Sequence, residues 1–432
     1  MTNIKTAIGR NSFTWSRLPI VLAFVVLLEP AYFRQSLEAV DMAFNVLQVV
    51  FAGIIVFEYV RVCKIDALSV LLVVYYLIVL LATLINNGEV RSVVSQGMTF
   101  VAICMLLELV IKRDAQELFK TLLPILECYV LINAGSVLFF PEGLYRTDSV
   151  WLDTYYFLGY RNQMINFILP CLCLEFLNVE YGGQSGRVAW ARTLLFLSAS
   201  VYSIFSAGSG ASTVLIVSLG AFFVLKRFLP SAVLNFRVCL IVVAALFFAI
   251  VIFRMQYLFI DLIDLLGRDP TLTGRVYIWD KTLYFIQHNW LFGYGVESID
   301  YRVLQYRSLG FQSVDLAAGL HAHDRILEVL FRGGVLLLTC YIAMLLCIEK
   351  KLYRCRKCDS AKILSFCIFM YLVGMLTEYY DYSPLFFALF FLAKNNDRFE
   401  ACRGRSEASE DEKSDMEVSE KNTKRRFGRV SS

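Results

Sequence analysis

Long apolar runs separated by short polar breaks occupy most of this chain. Runs near 18–33, 43–60, 67–85, 93–111, 119–141, 162–178, 188–206, 211–229, 236–253, 325–348, 361–377 and 384–394 each have the composition of a membrane-crossing helix. Crossing the hydrocarbon layer takes about 20 apolar residues. The last run falls short of that, so either it tilts or borrows flanking residues and the chain has twelve spans, or it is re-entrant and the chain has eleven. The pattern predicts an all-α integral membrane fold with about twelve transmembrane helices.

Three polar intervals interrupt the pattern on one side: about 141–161, the long stretch 254–324, and the short turn EYYDYSP at 378–384. Basic residues mark the other side, because Lys and Arg collect in cytoplasmic loops. With the N-terminus inside (Lys5, Arg10, Arg17), the pairs Arg61 and Lys64, Lys112 and Arg113, and Lys226 and Arg227 fall inside, as does the cluster around Lys350–Lys357. The loop after the sixth span has only Arg187 to offer. The first run lacks a small-residue cleavage site and is followed by Arg34 and Gln35, so it reads as a retained span. The expected organisation is a cytoplasmic N-terminus at 1–17, spans one to nine at 18–253, an extracytoplasmic loop at 254–324, spans ten to twelve at 325–394, and a disordered cytoplasmic tail at 395–432.

Composition agrees. The chain of 432 residues is 58% hydrophobic and 18% charged, against about 25% charged in soluble domains, so its apolar surface must meet a lipid bilayer. None of its twelve cysteines lies in an external interval, and no disulfide framework is implied. Cys355 and Cys358 form a single CxxC, without the second pair that a structural zinc site wants.

Candidate chemistry concentrates in 254–324, which holds all three histidines, His288, His321 and His323, together with Arg254, Arg268, Arg275, Arg302 and Arg307. Imidazole exchanges protons near neutral pH, and guanidinium suits phosphate. Residues 273–295 predict a short amphipathic helix with Trp279, Leu283 and Ile286 on one face, Thr273 as its cap, and Gly293 and Gly295 in a tight turn beyond it. Arg275 in the first turn, beside free backbone amides, could clasp a phosphate; a lipid headgroup or a nearby carboxylate is the competing partner. His321 and His323, two apart in an extended stretch, could converge on one ligand where Asp324 caps the tenth span. A metal held by His321, His323 and Asp324, completed by Glu378 or Asp381, is the rival reading. Aromatic residues such as Trp151, Tyr155, Tyr156 and Trp290 could stack on sugar rings or merely mark the membrane interface.

Gly274-Arg275, then Trp279, Gly293 and Gly295, a long loop, and finally His323, Asp324 and Gly334 form a pattern that resembles the O-antigen ligase and polysaccharide polymerase superfamily. The family's Asn is Asp324 here, the second glycine of its closing Gly-x-x-Gly is Leu337, and the arginine of its Ser-Arg turn is Gly210 within FSAGSGAST at 205–213. LGYRN at 158–162 resembles the family's Gly-x-x-Asn, and Arg161 could take over the missing arginine's duty. The resemblance implies a GT-C-like, metal-independent glycosyltransferase in the bacterial cytoplasmic (inner) membrane, with 254–324 as its catalytic loop. It would polymerise undecaprenyl-pyrophosphate-linked oligosaccharide onto an acceptor glycan to build O-antigen, capsule or exopolysaccharide. On that reading His323 and Arg275 are catalytic, and Arg161, His321, Arg254 and Asp324 bind substrate. No cofactor or nucleic acid is implied; a chain-length regulator and a flippase are the protein partners. A ligase that attaches glycan to the lipid A core is the alternative. A flippase or transporter is a more distant one, since charged residues within the runs are few (Glu108, Glu127, Glu175) and no internal repeat is evident.

Overall fold

The computed structural model describes residues 13–146, 154–183, 186–226, 228, 230, 234–259, 274–296, 321–378 and 383–401. The helices are α1 (Arg17–Leu27), α2 (Ala31–Ser36), α3 (Glu38–Val62), α4 (Ala67–Ile85), α5 (Val90–Arg113), α6 (Glu117–Phe139), α7 (Ile165–Tyr181), α8 (Gly186–Ser206), α9 (Gly210–Leu225), α10 (Phe236–Phe247), α11 (Arg275–His288), α12 (Arg325–Arg354), α13 (Asp359–Gly374) and α14 (Pro384–Lys394). A small antiparallel hairpin pairs β1 (Tyr155–Tyr156) with β2 (Gly159–Tyr160).

Helices α3, α4, α5, α6, α8 and α12 are long and apolar enough to cross a membrane, while α1, α9, α14 and the run Phe236–Ile252 are shorter apolar helices. The protein is therefore a multi-pass membrane protein. The surface of α3 shows the adaptation: Met42, Val46, Val50 and Phe57 are exposed, while Gln48, Ala52, Ile55 and Tyr59 turn inward. Local chemistry sets the helix limits. Asp66, Asn235 and Asp324 cap α4, α10 and α12 by accepting from the amides of Ser69, Arg237 and Leu327, which satisfies donors a helix start leaves without partners.

The short apolar run at 384–394 forms α14, every residue of which from Pro384 to Ala393 is buried. It packs against α5, α7, α12 and α13. A helix that is apolar all round belongs inside a core, and here protein surrounds it. The tail expected from residue 395 starts in folded form: Asn396 and Phe399 are buried, Phe399 meets Phe119 and Tyr181, and Glu400 accepts from Ser360 Oγ at 2.7 Å. One large apolar residue in a polar stretch accounts for the difference.

At the end of the bundle that holds Arg17, ion pairs tie the helices together. Arg17 pairs with Glu117 at 2.9 Å. Glu108 is bound by Lys112 and Lys394, each at 2.7 Å, and accepts from Tyr59 Oη at 2.9 Å. Lys394 also meets Asp66. The charged residues noted within the spans are thus paired, for Arg192 likewise holds both Glu127 and Glu175.

Candidate functional site

The opposite end gathers the residues that the sequence singled out. It is organised around a break in α12. Gly334 has φ 61° and ψ −160°, which interrupts the helix and strands the carbonyls before it and the amides after it. The Trp290–Gly295 turn supplies the partners. Tyr294 N donates to Phe331 O at 2.7 Å, Gly295 N to Arg332 O at 2.9 Å, and Val335 N to Trp290 O at 2.8 Å. Backbone meets backbone here, so side chains are excluded. A Cβ on Gly334 would lie 2.2 Å from Leu291 O, and one on Gly295 would lie 2.4 Å from Thr83 Cα. The same turn is pinned to the α4–α5 corner, where Val296 N donates to Thr83 Oγ1 at 2.9 Å and Glu89 N to Val296 O at 2.7 Å. The expected tight turn at Gly293 and Gly295 is therefore present, with φ of 66° and 72°.

This lock fixes α11. The helix runs as expected with Trp279 fully buried and Val276, Phe285 and Ile286 beside it on the inward face. Its N-cap is Gly274, at φ 80° and with no side-chain cap; Thr273 lies outside the described residues. Arg254, at φ 54°, places its guanidinium 5.0 Å from the Trp279 ring centre and pairs with Asp280 at 2.6 Å. It ties α11 to the segment that follows α10, while its Nη1 has no hydrogen-bond partner among the described residues.

Arg275, in the first turn of α11, pairs with Glu378 Oε1. His323 Nδ1 lies 3.7 Å from the other oxygen of the same carboxylate. Asn162 Nδ2 donates to Glu378 Oε1 at 2.9 Å, and Ser209 Oγ lies 2.8 Å from Asn162 Oδ1. One buried carboxylate, 6% exposed, therefore joins Arg275, His323 and the LGYRN segment, with the FSAGSGAST turn one hydrogen bond further on. Arg325 N donates to Met375 O at 2.8 Å and so holds the start of α12 against the end of α13, the helix that leads to Glu378. Arg161 crosses the same turn: a Cβ on Gly208 would lie 3.6 Å from Arg161 Nη1. Its Nε donates to Tyr160 Oη at 3.0 Å.

The extended geometry expected at His321–His323 is not found. His323 takes φ 49°, in the left-handed region, which costs a non-glycine residue energy and is met disproportionately at functional positions. The turn separates the two imidazoles. His321 Nδ1 lies 3.6 Å from Glu328 Oε1, a carboxylate also held by Arg332 at 2.8 Å, whereas His323 faces Glu378. Asp324 is fully buried. Its Oδ1 caps α12 at 2.8 Å from Leu327 N, and its Oδ2 has no hydrogen-bond partner among the described residues. Burial pushes its carboxyl up to about 7, with the Glu328 charge acting in the same direction and the backbone amides opposing. Near neutrality a sizeable share of it is thus the uncharged acid.

The aromatic faces are mostly spent on packing. Tyr155 and Tyr156 are buried, Tyr156 Oη donating to Pro141 O at 2.9 Å, because the hairpin folds them inward. Trp290 is exposed, and Trp151 lies outside the described residues. Arg268, Arg302, Arg307 and Asp381 also lie outside them. From sequence, Glu378 stands out only as a supplementary metal ligand. Its signal was its position, a carboxylate directly after an apolar run on the side where the polar intervals lie.

No curated protein matches the chain. Residues 193–342 match the family model described as O-antigen ligase. That range contains the FSAGSGAST turn, Arg275, the glycine lock, His323 and the break at Gly334; Arg161, Asn162 and Glu378 lie outside it and reach it through space. Residues 193–342 are therefore similar to the O-antigen ligase family model, and they are set in a multi-pass membrane protein.

Proposed function

We propose that this protein is a glycosyltransferase of the outer membrane face of the cytoplasmic membrane, and that it polymerises carrier-linked repeat units by the chemistry of the Arg275–Glu378–His323 cluster. One observation carries the reading: a single buried carboxylate engages a guanidinium and an imidazole on its two oxygens. Glu378 faces the Nδ1 side of the ring at 3.7 Å, which leaves Nε2 to take the proton of an acceptor sugar hydroxyl. The hydroxyl oxygen bonds to the anomeric carbon as the bond from that carbon to the pyrophosphate oxygen breaks, and the electron pair leaves with the pyrophosphate. Arg275 meets the charge that develops there, where preorganised donors are most effective, and Arg161, against the Gly208 turn, is the second candidate. His321 is placed to assist in holding the acceptor. A twelve-span arrangement with both termini inside fits this reading, since it would put the cluster where an undecaprenyl-pyrophosphate donor presents its sugar.

A ligase acting on a lipid A core acceptor is the second reading, favoured by the description of the matching family model. A glycan ladder from cells expressing the Arg275→Ala chain decides between them. Loss of long chains with single-unit products retained supports polymerisation; loss of every attached glycan supports ligation. An unchanged ladder overturns both.

A further inference from the structure

A polar cavity of about 450 Å³ lies apart from the cluster, between α3, α5, the turn after α1 and the start of α7. Its walls are unusual for a membrane protein. Asp41, Asn45 and Gln48 stand at successive turns of α3, and Ser92, Ser95 and Thr99 do the same on α5. Two facing polar stripes on apolar helices are costly in lipid, and such residues are retained for a path or a ligand. Small-molecule pockets of this size are lined mainly by apolar groups with a few polar ones, whereas here hydroxyls, amides and carboxylates supply as much of the wall as apolar groups do.

Glu29 adds a second sign. It is 3% exposed, and its Oε1 has no hydrogen-bond partner among the described residues. A buried acceptor left without a partner costs free energy until a ligand or water supplies one. Charge disfavours a phosphate, for among the described lining residues Glu29 and Asp41 are acidic and the one cation, Arg34, lies 3.6 Å from Glu29. Phe100 and Phe167 give the same cavity apolar faces. Many donors and acceptors, a slight acidic excess and two aromatic rings suit the hydroxyl-rich, uncharged part of a glycan.

We propose that this cavity is a carbohydrate subsite, which holds sugar residues of the glycan while its reacting end lies at the Glu378 cluster. The inference rests on the reaction assigned above. The start of α7 links the two places: Asn162 donates to Glu378, the next residue, Gln163, lines the cavity, and Asn166, also in its wall, accepts from Tyr371 Oη at 2.7 Å.

The test uses the full-length protein in lipid nanodiscs and, as probe, the repeat-unit oligosaccharide released from the polymer of the same cells, with binding measured by calorimetry. Ser95→Leu, which projects into the cavity, is expected to weaken binding at least tenfold and to raise KM for the acceptor. Thr99→Val, which removes a hydroxyl at nearly constant shape, is expected to weaken it severalfold with an unchanged melting temperature. Unaltered affinity in both variants overturns the subsite. Arg275→Ala separates the two claims: it is expected to bind the oligosaccharide as the parent does and to form no product. If it still forms product, the assigned reaction fails while the binding result continues to judge the cavity.

Discussion

The two ends of the helix bundle use the same materials to different effect. At the Arg17 end, Glu108 is held by Lys112, Lys394 and Tyr59, all at 2.9 Å or less. At the Arg275 end, Glu378 is shared by Arg275, Asn162 and His323, yet His323 Nδ1 stands off at 3.7 Å and its backbone is in the left-handed region. The first cluster is saturated and relaxed, as a structural tie should be. The second is strained and incompletely bonded, and contacts of that kind tighten when substrate arrives. A buried ion pair alone does not announce function; incomplete satisfaction at a strained residue does.

The comparison is broken most sharply by mutation of the Glu378 cluster. Arg275→Ala, His323→Ala and Glu378→Gln are each expected to lower polymer formation by at least about a hundredfold, the scale on which removal of one preorganised donor acts. Protein levels in the membrane should stay close to normal. Turnover of lipid-linked substrate by purified protein checks this, and a variant with full activity removes its residue from the mechanism. Arg275→Lys should recover little, since a point charge cannot make the two-pronged contact of guanidinium.

The saturated end should respond in the opposite manner. Glu108→Ala leaves Lys112 and Lys394 without their shared partner and is expected to cost about 3 kcal/mol of stability, the scale of breaking a buried pair. Turnover per folded molecule should hold. Thermal melting beside a kinetic assay would show it, and a selective loss of turnover would end the distinction between the two ends.

Gly334→Ala sharpens the role of the lock. The added methyl meets Leu291 O at 2.2 Å and the residue must keep φ 61°, so a loss of about 2 kcal/mol is expected from strain at a single residue. Activity should fall with it, because the lock sets the position of α11. A stable, fully active Gly334→Ala protein would show that the break does not position Arg275.

The smallest effect belongs to Asp324. A carboxyl raised from about 4 when unfolded to about 7 when folded keeps a proton that the unfolded chain releases. Its contribution to stability is then greatest below pH 4, declines as pH rises from about 4 to about 7, and changes little above that. Asp324→Asn should retain activity and flatten this decline, as melting temperatures across that pH range would reveal. An Asn variant that loses activity would assign the charge itself a role.

Much of this was legible from periodicity and residue type. Helix α11, the turn glycines and the cap at Asp324 follow from local rules, because apolar spacing, left-handed turns and capping depend on near neighbours in sequence. The identity of their common partner was not legible. Glu378 lies 103 residues from Arg275, and no local rule links them. The same is true of the contacts that Arg254 makes with Trp279 and Asp280.

The sequence by itself determined that the chain must lie in lipid, where its helices fall, and which residue types could do the chemistry, for these depend on transfer energies and short-range geometry. Only the tertiary structure decided which charges meet. Pairing among distant groups is set by how helices pack, and there the protein made one carboxylate the tie between Lys112 and Lys394 and the other the shared partner of Arg275 and Asn162, facing His323.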